Sequence, residues 1–125
     1  MKLTLEARNK HLISGYEAGE VRINDLVIRN HCLITADSVL EWPLADKQTN
    51  QLHVNDMQPI AELNPEVVLL GMSGEQRYPS AEIYALFLER NIGFEVMDIG
   101  AACRTFNILL GEDRRVVAAL MLTAV

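Results

Sequence analysis

The chain has 125 residues, half of them hydrophobic and 22% charged, which is the profile of a soluble globular protein long enough to bury a core. Seventeen Asp and Glu against eleven Lys and Arg leave a net charge of −6, which argues against the clustered basic surface that nucleic-acid binding needs. Cys32, Cys103 and the scattered His11, His31 and His53 offer neither a disulfide framework nor metal-ligand spacing, so no metal or cofactor is expected.

The amino-terminal stretch from Met1 to Arg8 lacks the apolar core of a secretion signal and carries Glu6, which transit sequences avoid. No apolar run approaches the ~18 residues that span a bilayer. A cytoplasmic protein without membrane insertion is the expectation, folded as a single domain over residues 1–125.

The first half reads as β structure. His11 to Glu17 and Glu20 to Asn24 flank Ala18-Gly19, a hairpin turn, with Ile13, Val21 and Ile23 on the buried face. Asn24-Asp25 marks a second turn before Leu26-Val27-Ile28. Asn30 marks a third before Cys32 to Thr35, so the four segments read as one meander. Val39 to Pro43 is extended, and Trp42 is expected to cover a core. Ala45 to Asn50 is a polar turn, and Gln51 to Val54 reads as a short strand. Asn55 and Gln58 have capping-box spacing, but Pro59 delays or distorts the helix they would start, which ends by Asn64.

The second half alternates strand and helix. Glu66 to Gly71 is continuously apolar, as a strand buried on both faces would be. A helix follows from about Ser80 to Asn91, with Ile83, Leu86 and Phe87 on its inner face and Gly93 supplying a left-handed end. Phe94 to Ile99 is a second inner strand. A last helix from about Ala101 to Leu110 has Ala102, Phe106, Leu109 and Leu110 on one stripe, and Arg115 to Thr123 closes the chain as an apolar strand. A β-rich half followed by β-α-β-α-β predicts an α/β protein: three layers around a central mixed sheet.

Two turns carry the candidate chemistry. If the strands before them are parallel neighbours, the stretches Gly71–Pro79 and Asp98–Asn107 share one carboxyl edge, where open α/β sheets place their crevices. Gly71, Ser73 and Gly74 could let backbone amides approach an anion, although neither a dinucleotide fingerprint nor a P-loop is present. Asp98 ends its strand, and Arg104 lies in the first turn of the next helix, where a cation opposes the dipole and calls for a partner. An Asp98–Arg104 pair is therefore expected, as a structural clamp or as half of an anion site, with Asn107 on the face of Arg104. Ser73 and Cys103 are possible nucleophiles, but no His occurs in the second half of the chain to act as base.

The stretch Asp98-x-Gly100-Ala101-Ala102-Cys103-Arg104-Thr105-Phe106-Asn107 resembles one small family, together with Pro65-Glu66, the Gly71 turn and Glu112-x-Arg114-Arg115-Val116. It is the MTH-type family of unknown function in bacteria and archaea, whose eukaryotic relatives include a mitochondrial assembly factor for respiratory complex I. Gly15-Tyr16 and Trp42 extend the similarity along nearly the whole chain. The family's first turn usually reads Gly-Thr-Gly, where this chain has Gly71-Met72-Ser73, and Phe106 stands where Tyr is common. The resemblance implies a three-layer α/β fold around a mixed sheet and no established catalytic activity. The expected function is thus that of a non-enzymatic assembly or accessory factor with a protein partner, its contact surface including the edge formed by Gly71–Pro79 and Asp98–Asn107. The alternative is a binder or enzyme for a small anion or nucleotide, using the crevice between the two turns.

Overall fold

The computed structural model describes residues 12–44, 51–73 and 78–122. The polar turn from Ala45 to Asn50, Gly74 and the end of the last predicted strand at Thr123 lie outside the described residues. The strands are β1 (Ile13–Glu17), β2 (Glu20–Ile23), β3 (Leu26–Ile28), β4 (Cys32–Ile34), β5 (Val39–Glu41), β6 (Val67–Met72), β7 (Gly93–Asp98) and β8 (Val116–Met121). The helices are α1 (Val54–Ala61), α2 (Ala81–Glu89) and α3 (Ile99–Gly111).

The strands form two sheets. β1, β2 and β3 make an antiparallel meander, and the second sheet has the order β5-β4-β8-β6-β7. β4 runs antiparallel to β5 and β8, whereas β6 runs parallel to both β8 and β7, so the larger sheet is mixed as expected. One expectation fails here: β4 does not continue the meander. It crosses to the larger sheet, where Cys32 pairs with Leu120 and Ile34 with Ala118. The physical reason is burial. All three residues of β4 are buried, Cys32 and Ile34 in one core and Leu33 in the other, and the larger sheet has such a core on each face.

Period-two alternation explains how the layers form. Val68 and Leu70 of β6, with Val117, Ala119 and Met121 of β8, pack with Met57 and Ile60 of α1 and with Ile83 and Phe87 of α2. Leu69, Val116, Ala118 and Leu120 point to the other side, against Ala102, Cys103, Phe106 and Leu110 of α3. Ile13, Val21 and Ile23 of the meander join this second core. α3 therefore touches β6 and β8 of the large sheet and β1 of the small one. Trp42 is buried as expected, its indole Nε1 donating to the Asp56 carbonyl at 2.9 Å.

Three boundaries differ from expectation. The Gln51–Val54 strand is absent. His53 is instead the N-cap of α1, and the Asp56 carboxylate accepts from the His53 N–H at 2.8 Å. Pro59 lies inside that helix, because its first turn is held by this reciprocal cap two positions earlier than the Asn55 pattern suggests. The left-handed residue ending α2 is Asn91, with φ 58°, while Gly93 already begins β7 and donates to the Glu66 carbonyl at 2.9 Å. β7 itself is an edge strand rather than an inner one.

Candidate functional site

β6 and β7 are parallel, and Met72 pairs with Asp98, so the two turns leave the same carboxyl edge of the sheet. What the side chains do there differs from their sequence reading. Asp98 is the N-cap of α3, its Oδ1 accepting from the Ala101 N–H at 2.7 Å. A carboxylate at a helix amino terminus meets both an unpaired donor and the positive end of the dipole. Arg104 turns away from it and donates from Nη1 to the Tyr16 hydroxyl at 2.6 Å, 88 positions away in the chain. The expected Asp98–Arg104 pair is not formed. The nearer main-chain donor takes the carboxylate, and the phenol takes the guanidinium.

Asn107 completes a seam between α3 and the meander. Its Oδ1 accepts from the Ile13 N–H at 2.9 Å and its Nδ2 donates to the Ile13 carbonyl at 2.8 Å. β1 has a bulge between Ile13 and Gly15, and this side-chain amide satisfies the main chain at the bulge. The Tyr16 ring lies over Gly100, where an added Cβ would stand 2.9 Å from the ring Cε1 and the hydroxyl oxygen. Arg104, Asn107 and Gly100 thus share one role, which is to dock the small sheet on α3.

Gly71 is not at a turn. β6 runs through it to Met72, and a Cβ there would stand 2.9 Å from Ala102 Cβ and 2.9 Å from Leu120 Cδ2. The missing side chain is what lets α3 lie this close to the sheet. Ser73 follows the strand and is half-buried.

The two thiols lie in the same core. Burial pushes Cys32 up to about 12, with the neighbouring Cys103 adding to the effect. Burial likewise pushes Cys103 up to about 11, Arg104 opposing this and Asp98 reinforcing it. An activated nucleophile needs the opposite shift. With folded-state values above the ordinary 9.0, the folded chain holds more protons above pH 9 than the unfolded chain does. Stability is thus full below that point and falls as pH rises, by about 1 kcal/mol per thiol at pH 10. Urea unfolding at pH 8 and pH 10 should show this loss, and a Cys32→Ala, Cys103→Ala double variant should lack it.

Sequence reasoning did not find Tyr16 or Ile13 as partners of α3; its only signal was a cation expected in the first helical turn, and with α3 starting at Ile99 Arg104 lies one turn further in. Nor did it find Glu66, whose carboxylate accepts from the Arg115 N–H at 2.9 Å and pairs with Arg114 Nε at 3.3 Å. That main-chain bond is the largest effect holding the Glu66 carboxyl below its usual range; desolvation opposes it, and the Arg114 and Arg115 guanidiniums add smaller lowering effects. A cavity of about 350 Å³ opens nearby at the opposite edge of the sheet, between Thr35, Ser38, Leu63, Leu110, Arg114 and Val117. Among the described residues no group of three His, Cys, Asp or Glu could hold a metal ion, and no helix is long and apolar enough to cross a membrane.

Comparison with known proteins bears on the same features. Residues 13–121 match the family described as Protein of unknown function (DUF498/DUF598). The chain belongs to that family. A zebrafish (Danio rerio) relative, NADH dehydrogenase [ubiquinone] 1 alpha subcomplex assembly factor 3, is 28% identical over 116 residues. The match takes in 93% of this chain and 67% of that protein, so the chain spans about two thirds of the relative's length. The 13 kDa major membrane protein of Francisella tularensis subsp. holarctica is 31% identical over 88 residues, covering 70% of this chain and 72% of that one. The crystal structure of a Bordetella parapertussis family protein superposes with a TM-score of 0.82 at 30% identity, covering 91% of this chain and 97% of that one. The family resemblance and the three-layer fold read from the sequence both hold.

Proposed function

We propose that this chain is a non-enzymatic assembly or accessory factor that works by holding another protein. The observation that carries the reading is how the polar groups at the carboxyl edge are used. Asp98 caps α3, Arg104 holds Tyr16 and Asn107 holds Ile13, so each serves the fold itself. Leu88 on α2 and Ile108 on α3 also stand exposed, 77% and 62% accessible, one on each side of the large sheet. The assembly-factor relative supports a role of the same kind, in which a subunit or intermediate of a larger complex is kept in place. A cytoplasmic setting is part of the proposal.

The alternative, a small anion held at this edge, is disfavoured because the Asp98 carboxylate already occupies the amino terminus of α3. Arg104→Ala separates the two readings. Its bond to Tyr16 is exposed, so the unfolding free energy should fall by no more than about 1 kcal/mol. Proteins retained by the tagged chain from its native extract should be the same for wild type and variant, as mass spectrometry would read. A stoichiometric small molecule kept by wild type and lost from the variant would overturn the assembly reading.

A further inference from the structure

The outer edge of β7 offers a docking line. Among the described residues no strand pairs with that edge. The Gly93 N–H points inward to the Glu66 carbonyl, so by alternation the N–H and C=O groups of Phe94 and Val96 point outward. β7 pairs with β6 without irregularity over six residues. It contains no Pro and no bulge, two of the means by which natural sheets blunt an edge, and its one mid-strand charge is Glu95. The opposite edge strand, β5, has only three residues.

The two faces beside this edge differ. On the α2 side, Tyr84 meets Phe94 edge-on with ring centroids 5.2 Å apart, and Phe94 stacks on Phe87 at 4.7 Å. Leu88, one helical turn beyond Tyr84, is exposed. Alternation puts Glu95 on the other side, also exposed. The charged residues within β7 and α2 are all acids: Glu82, Glu89, Glu95 and Asp98.

We propose that β7 binds an extended segment of a partner protein by strand addition, and that this segment alternates apolar with basic residues. Main-chain bonds to Phe94 and Val96 would supply the pairing. The apolar side chains would lie on Tyr84, Phe94 and Leu88, and the basic ones would face Glu95. A second copy of this chain is the poorer occupant, because its β7 would bring a second set of acids to an acidic edge. The inference rests on the protein-holding function proposed above and names its surface.

The probe is a short synthetic peptide alternating lysine with isoleucine, with the glutamate-for-lysine peptide as control. In amide NMR titrations of the whole chain, the lysine peptide should shift β7 and protect the Phe94 and Val96 amides from exchange. Val96→Pro removes an outward N–H that β6 does not use, a position where an edge strand tolerates proline. It should lower affinity at least about tenfold without changing the circular dichroism spectrum. Should that variant not fold, Glu95→Lys serves instead: it should reverse the preference between the two peptides. Shifts mapping away from β7, equal binding by Val96→Pro, no preference for the lysine peptide, or dimerisation through β7 in sedimentation would each overturn the proposal. Partner proteins captured equally by wild type and Val96→Pro would sink the strand-addition model while leaving the assembly role standing. Loss of all capture by wild type would instead remove that role.

Discussion

Gly71→Ala is expected to lower the unfolding free energy by about 1–3 kcal/mol, the range for forcing a methyl group into a filled core. The new Cβ would meet Ala102 Cβ and Leu120 Cδ2, each at 2.9 Å, with Ile99 Cδ1 at 3.4 Å. Ala102 has no rotamer with which to yield, and both Ala102 and Leu120 are fully buried. Relief would require α3 to lift from β6, opening gaps around Phe106 and Leu110, which share that core. Gly111→Ala is the internal control. Nothing lies within 4 Å of the Cβ added there, at the end of the same helix, so it should be neutral or gain up to about 1 kcal/mol. Urea midpoints of the two variants test the point. If Gly71→Ala unfolds where wild type does, the close approach of α3 is not what this glycine provides.

The same glycine shows what sequence could and could not convey. The apolar run before it announced a buried strand, and β6 and β7 do lie parallel with their carboxyl ends together. A glycine within such a run can end a strand or admit a helix, and those demands look alike in one dimension. Here Ala102, thirty-one positions on, decides between them. β4 posed a similar ambiguity. Asn30 suits a hairpin turn as well as a crossing, and only pairing with β8, far along the chain, selects the crossing.

The polar residues of the edge were legible as unusual, while their partners were not. Arg104 was expected in the first turn of the last helix, against the dipole, but α3 already begins at Ile99 and Arg104 is its sixth residue, so the dipole itself demanded no partner. Proximity in sequence favoured Asp98, but the main-chain donor of Ala101 lies closer and needs a cap. The true partner of Arg104 comes from the first hairpin, and no local pattern near Tyr16 marks it. Helix stripes, by contrast, depend on spacing alone. Ala102, Phe106 and Leu110 are therefore buried as their period requires.

Asn107→Ala should cost about 2–4 kcal/mol, since it strands two main-chain groups in a partly buried seam, each worth about 1–3 kcal/mol when left unpaired. The loss should also be local at first. Among the described residues β1 has only β2 as a strand partner and meets α3 through this seam, so its release need not disturb β6 or β8. Hydrogen exchange should therefore speed up at Ile13, Tyr16 and Val21 before Leu69 or Val117 responds. Asn107→Asp gives a sharper reading of the same bond. It keeps the acceptor for the Ile13 N–H but sets a carboxylate oxygen against the Ile13 carbonyl, where Nδ2 now donates. Protonation restores a donor, so its deficit against wild type should shrink as pH falls through the carboxyl's folded-state pKa, which the carbonyl raises. A deficit that does not change with pH would mean that Asn107 acts by shape alone. Uniform acceleration of exchange in Asn107→Ala would mean that the meander and the large sheet unfold as one body.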